Sequence, residues 1–144
     1  MIAQLTGEIV SKEDTVVINV NGVAYEVFVS HATLKKIPHL GEVITVLIHT
    51  HVTEAAITLY GFLTTHEKML FRKLITVSGV GPKIAMQILG GLDPITLIRS
   101  ILNEDLVQLT AINGIGKKTA ERLIVELKDK LFSKDSKREK RTYF

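Results

Sequence analysis

Leu74-Ile-Thr-Val-Ser-Gly-Val-Gly-Pro-Lys-Ile-Ala-Met-Gln-Ile-Leu89 and Leu109-Thr-Ala-Ile-Asn-Gly-Ile-Gly-Lys-Lys-Thr-Ala-Glu-Arg-Leu-Ile124 are one motif written twice. A shift of 35 residues lays Leu74 on Leu109, Val77 on Ile112, Gly79 on Gly114, Val80 on Ile115 and Gly81 on Gly116. The same shift lays Lys83 on Lys118, Ala85 on Ala120 and Ile88 on Leu123. The pattern predicts a helix that arrives, a turn, and a helix that leaves. The glycines open backbone angles closed to other residues. Val80 and Ile115 are placed to plug the gap between the helices, and Ala85 and Ala120 are small enough to let them approach.

Glycine has no side chain, so an anion can reach the bare N–H groups where the departing helix begins. That end carries unpaired donors and the positive end of the helix dipole. With Lys83, Lys117, Lys118 and Arg122 around it, the expected ligand is a phosphate. Arg122 has a second option, an ion pair with Glu126 at i+4. The spacing resembles the helix-hairpin-helix motif, which holds nucleic-acid backbone without reading bases.

Three other readings compete. A dinucleotide fingerprint requires a strand before the glycines and a third glycine. Here Phe71–Val77 reads as helix, and Ile84 or Thr119 stands at the third position. A P-loop requires Ser or Thr after Gly-Lys, but Gly116-Lys117 is followed by Lys118, and Ala111 occupies the first glycine position. Two plain helical hairpins with glycine caps would leave the repeated lysine unexplained.

The chain of 144 residues allows one or two small domains. There is no cysteine, so disulfides and thiolate metal sites are excluded. No apolar run is long enough to span a membrane, and the first residues lack a basic leader, so a cytoplasmic protein is expected. The net charge of +3 is unevenly spread. Residues 1–63 carry three basic against six acidic side chains, while residues 64–144 carry 15 against nine. That asymmetry suggests two units, the second facing a polyanion.

Residues 1–63 read as β. Strands are expected at Ile2–Val10, Thr15–Val20, Val23–Val29, Glu42–Thr50 and Ala56–Phe62. Gly7 suggests a bulge or bend, and Asn21-Gly22 predicts a tight hairpin turn. His31–Ile37 is either a short helix or an irregular link. Five such strands match an OB-like barrel, small enough to need support from the second domain or from further copies. Residues 64–132 turn helical. The first helix is capped at Thr64 or Thr65 and runs to Val77, and the second opens at Pro82 and ends at Gly90-Gly91. Asp93-Pro94 opens a third to Leu102, Asn103 caps a fourth to about Ala111, and Lys117–Phe132 is the last. Residues 133–144 are charged and read as a flexible tail. His49 and His51 share a strand face but lack a third metal ligand. No metal, cofactor or catalytic constellation is indicated.

The order of barrel and twin hairpins resembles the RuvA family, the Holliday-junction-binding subunits of bacterial RuvAB branch-migration complexes. Gly79-Val-Gly-Pro-Lys83, Gly114-Ile-Gly-Lys-Lys-Thr-Ala-Glu-Arg-Leu123, Leu59-Tyr-Gly-Phe62 and Gly22-Val-Ala-Tyr-Glu-Val27 carry the resemblance, which covers residues 1–132. It implies a non-catalytic homotetramer that holds a four-way DNA junction open on a concave face during recombination, repair and the SOS response to DNA damage. It implies hairpins gripping minor-groove backbone, acidic residues at the junction centre, and a third domain that recruits the RuvB hexameric ATPase. Glu54 matches one central acid. Ala55 stands where many members have a second, and Thr53 where a basic residue is frequent. Residues 1–144 reach only the start of the linker to the third domain, so motor coupling is expected to be lost. Two other readings stay open: an accessory DNA-binding module of a repair nuclease, and a structural assembly module.

Overall fold

Asn21-Gly22 forces a tight hairpin in the barrel. Both residues take positive φ, 50° and 97°, as the tight turn between twisted strands demands. The turn joins β2 (Val16–Val20) to β3 (Val23–Phe28), paired antiparallel from Val20↔Val23 to Val16↔Val27. The computed structural model describes residues 1–132 and separates into two units, Met1–Lys68 and a second beginning at Met69. The expected tail over 133–144 lies outside the described residues.

The first unit is a closed five-stranded barrel in the order β1-β2-β3-β5-β4, with β1 at Gln4–Lys12, β4 at Val43–Val52 and β5 at Ile57–Phe62. Alternation along the strands turns Leu5, Ile9, Val16, Ile18, Val27, Val46, Ile48 and Leu59 into one buried core. The barrel closes through a short parallel seam, Val27↔Leu59 and Phe28↔Tyr60. His31–Lys36 is a helix, α1, whose Thr33 N–H donates to the Ser30 hydroxyl at 3.1 Å. The expectation for Gly7 needs correcting. The register of β1 on β2 shifts between Ile9 and Ser11, which puts the bulge at Val10. Gly7 instead lets the backbone of β2 come close: a Cβ there would lie 2.3 Å from the Asn19 carbonyl oxygen.

Five helices follow: α2 (Thr65–Leu74), α3 (Pro82–Gly91), α4 (Pro94–Leu102), α5 (Leu106–Thr110) and α6 (Lys117–Phe132). Thr64 caps α2, its hydroxyl accepting the Glu67 N–H at 3.2 Å. Asp93 caps α4 by accepting from Thr96 N–H at 3.0 Å and from the Thr96 hydroxyl at 2.6 Å. These bonds hold its carboxyl below the usual aspartate range.

Helix ends differ in detail from expectation. The first helix stops at Leu74, and Ile75–Val77 continue as tight turns, with Thr76 and Val77 N–H donating three residues back. α3 takes in both Gly90 and Gly91, two residues past Leu89, and ends there. Gly91 serves packing, since a Cβ there would sit 2.8 Å from Ile112 Cγ2. Asn103 does not cap the fourth helix. Its N–H closes α4 on Arg99 O, Glu104 takes φ 54°, and the Asp105 carboxylate caps α5 through Gln108 N–H at 3.1 Å.

The helical core repeats as the sequence does. Leu74 and Leu109, Val77 and Ile112, Val80 and Ile115, Ala85 and Ala120, and Ile88 and Leu123 are all buried. Among the described residues no single helix is long and apolar enough to cross a membrane.

Candidate nucleic-acid interface

The two hairpins, α2–α3 and α5–α6, turn in the same way. Val80 N–H donates to Val77 O at 3.0 Å, and Ile115 N–H donates to Ile112 O at 3.1 Å. The first glycine of each pair is left-handed, Gly79 at φ +81° and Gly114 at φ +87°. A side chain at either position would be strained. Val80 and Ile115 are each 4% exposed and fill the space between the helices. The second glycines differ in kind. Gly81 is extended, at φ −90° and ψ −179°, and caps α3. A Cβ added at Gly81 or Gly116 would meet no atom within 4 Å. Nothing inside the protein therefore requires these two glycines. They leave bare backbone facing outward at the start of α3 and of α6.

Lys83 and Lys118 occupy equivalent second positions of their helices, and both are exposed. Lys117 is exposed too and lies 3.9 Å from Glu121, one turn along α6. An ion pair that exposed is worth little and leaves Lys117 able to turn to an anion. In the first hairpin its place is taken by Pro82.

Arg122 crosses to the other hairpin. A Cβ at Gly79 would lie 2.7 Å from Arg122 Nη1, so the guanidinium rests directly on the first loop. Glu126 is engaged elsewhere: its two carboxylate oxygens accept Ser78 N–H, each at 3.2 Å. One turn further, Lys130 Nζ donates to Thr76 Oγ1 at 3.0 Å. Arg122, Glu126 and Lys130 thus form one edge of α6, each a turn apart, along the loop 76–79. Lys130 also borders a cleft of about 340 Å³ with Met69, Arg72, Lys73 and Thr76.

Sequence reasoning did not single out Gln87, which lies on the second loop. A Cβ at Gly114 would be 3.0 Å from Gln87 Oε1 and 3.2 Å from Nε2. The signal was present in the repeat, since Gln87 is the residue 35 before Arg122.

Glu54 stands in the barrel unit. It sits at the tip of the β4–β5 hairpin, beyond the last pair Val52↔Ile57. Thr53 locks that tip. Its N–H donates to Ala56 O at 2.9 Å, and its hydroxyl accepts Ala56 N–H at 3.2 Å. Glu54 and Ala55 are left exposed on a closed turn. Further down the same hairpin, His49 lies opposite Tyr60, and the His51 ring packs edge-on to Tyr60 at 6.3 Å. Among the described residues no three His, Cys, Asp or Glu side chains converge as a metal site would need.

Comparison with known proteins agrees with both units. The family model described as RuvA N terminal domain matches residues 1–61, and a SAM-like helix-hairpin-helix tandem matches residues 71–129. A protein of Geobacter metallireducens named Holliday junction branch migration complex subunit RuvA is 48% identical over 136 residues, covering 94% of this chain and 68% of that protein. Its namesake in Trichlorobacter lovleyi is 50% identical over 137 residues, with the same coverage of both. That of Pseudomonas syringae pv. syringae is 48% identical over 131 residues, 90% of this chain and 65% of that protein. With an OB-like barrel, tandem hairpins and these relatives, the chain belongs to the RuvA family.

Proposed function

We propose that this chain binds four-way (Holliday) DNA junctions by structure and not by sequence, as a non-catalytic cytoplasmic subunit of a branch-migration complex. It acts in recombination and repair, as a homotetramer, with a RuvB-type ATPase motor as partner. The observation that carries the reading is the pair of open second glycines. Gly81 and Gly116 have no internal steric reason to be glycine, and each starts a helix whose second residue is an exposed lysine. Bare N–H groups, a helix dipole and a lysine together suit a phosphate oxygen and offer no base-reading surface. Gly79, Gly81 and Lys83 hold backbone in the first hairpin, with Arg122 crossing to them. Gly114, Gly116, Lys117 and Lys118 do so in the second. The name the relatives carry supports the junction as the target. The test is binding of a four-way junction against linear duplex of the same sequence. Equal affinity for the two would overturn the reading.

Lys118→Ala should weaken binding to all junction sequences alike. Each phosphate released should make the plot of log K against log salt shallower by about 0.9. Salt titrations on a panel of junctions of different sequence check this, and a loss confined to particular sequences would contradict it.

Glu54 is proposed to act at the point of strand exchange. Unit charges ~6 Å apart repel by about 0.7 kcal/mol in water and by about 3 kcal/mol at an effective dielectric of 20. Four carboxylates in a tetramer would disfavour a continuous duplex across the centre and tolerate an open junction. Glu54→Gln keeps the volume and removes the charge. It should tighten duplex binding more than junction binding, so the selectivity ratio falls. Ala55→Asp should raise the ratio. An unchanged ratio in Glu54→Gln at low salt would reduce Glu54 to a polar turn residue.

A further inference from the structure

The two loops do not draw their polar groups from their own helices alone. The sixth residue of α3 is Gln87 and the sixth of α6 is Arg122. Each lies on the loop of the other hairpin, Gln87 on Gly114 and Arg122 on Gly79. The whole Gln87 amide is laid against the glycine, with Oε1, Nε2 and Cδ at 3.0, 3.2 and 3.3 Å from the Cβ position. Gln87 is exposed, and its amide forms no hydrogen bond among the described residues. A long polar side chain therefore lies along the second loop with its donors open.

Charge explains why one crossing residue is arginine and the other glutamine. The first hairpin has Pro82 where the second has Lys117. It owns one lysine, Lys83, and Arg122 brings it a second cation. The second hairpin already owns Lys117 and Lys118. A third cation there would add repulsion among like charges in the DNA-free protein, whereas an amide adds two donors and no charge.

We propose that Gln87 is a phosphate-contacting residue of the second hairpin, delivered across the repeat as Arg122 is delivered to the first. The proposal rests on the reading above, in which the hairpin loops hold DNA backbone. The amide N–H donates to an oxygen of the phosphate seated at Gly116 and Lys118, and the contact with Gly114 fixes its direction.

The test is a salt titration of binding to a synthetic four-way junction for the wild type, Gln87→Ala, Gln87→Glu and Gln87→Arg, with thermal melting as the control for folding. Loss of the amide donor to the phosphate in Gln87→Ala should weaken binding about tenfold and leave the salt slope unchanged. Gln87→Glu has nearly the same volume; it should weaken binding further and make the slope shallower. Gln87→Arg should bind at least as tightly as the wild type and steepen the slope by about 0.9. A residue that only covers Gly114 would give opposite charges the same effect. Equal weakening by Glu and Arg would therefore overturn the proposal, as would wild-type binding by all three variants. A wild type that fails to bind the junction overturns the reading of the loops themselves, so the two failures are distinguishable.

Discussion

Gly81→Ala combined with Gly116→Ala is expected to fold as the wild type does and to lose junction binding by well over tenfold. Stability is the first half of the argument. Neither added methyl would touch an atom within 4 Å, and neither position has left-handed φ. Alanine is a poorer helix cap than glycine by up to about 1 kcal/mol. It also removes freedom from the unfolded chain, worth about 0.4–1 kcal/mol in the opposite sense. The two terms nearly cancel. Binding is the second half. In the proposed mode of binding, a methyl at each loop would stand where a phosphate comes within hydrogen-bond distance of backbone N–H groups. A hydrogen bond to a charged group is worth about 1.5–3 kcal/mol, which is about tenfold or more for each loop. The outcome differs from that at the first glycines. Gly79→Ala and Gly114→Ala each meet left-handed strain of about 1–2 kcal/mol and push Arg122 or Gln87 aside, so they should lose stability and binding together. Melting curves and junction titrations on the same preparations separate the two classes. Undiminished binding by the folded double variant would remove the backbone-amide mechanism.

Much of this contrast was legible before the fold was known. The 35-residue repeat located both loops, and the buried pairs Val80/Ile115 and Ala85/Ala120 behave as their size and spacing imply. Asn21-Gly22 specified its turn because few residue pairs accept positive φ twice in succession. What escaped the sequence depends on contacts between distant segments. Gly7 and Gly91 looked like punctuation, and their cause lies in Asn19 and Ile112, which only the assembled fold brings near. Asn103 and Asp105 are both good caps. Which one caps α5 is decided by Glu104 at φ 54°, which turns the chain between them. The parallel β3–β5 seam that closes the barrel rests on two residue pairs and leaves no local pattern. Gln87 pairs with Arg122 in the repeat, but its contact with Gly114 appears only when α3 of one hairpin reaches the loop of the other.

Gly7→Ala should be among the most destabilising single methyls in the barrel, lowering its stability by about 3 kcal/mol or more. Inserting a methylene into a packed core costs about 1–3 kcal/mol when side chains can shift. Here the obstacle is main chain. The new Cβ would lie 2.3 Å from Asn19 O and 2.9 Å from both Asn19 C and Ile18 Cγ2. Asn19 is held on both sides, paired with Glu8 on β1 and with Ala24 on β3. Relief requires β1 and β2 to part beside the bulge at Val10. In a domain of this size 1 kcal/mol corresponds to about 4–8 °C in melting temperature, so a fall of more than about 12 °C is expected for the barrel transition. The functional consequence follows from strand pairing. β1 also pairs with β4 through Gly7↔Ile44, and β4 runs on to the turn that presents Glu54. The hairpin loops belong to the other unit. Near the barrel's lowered transition, phosphate-driven binding to duplex should persist while preference for the junction falls, because the Glu54 turn is no longer held. Melting followed by β-sheet circular dichroism, with junction and duplex titrations at matched temperature, measures both effects. A melting temperature within about 2 °C of the wild type would mean that β2 withdraws at little cost and that close approach does not explain this glycine.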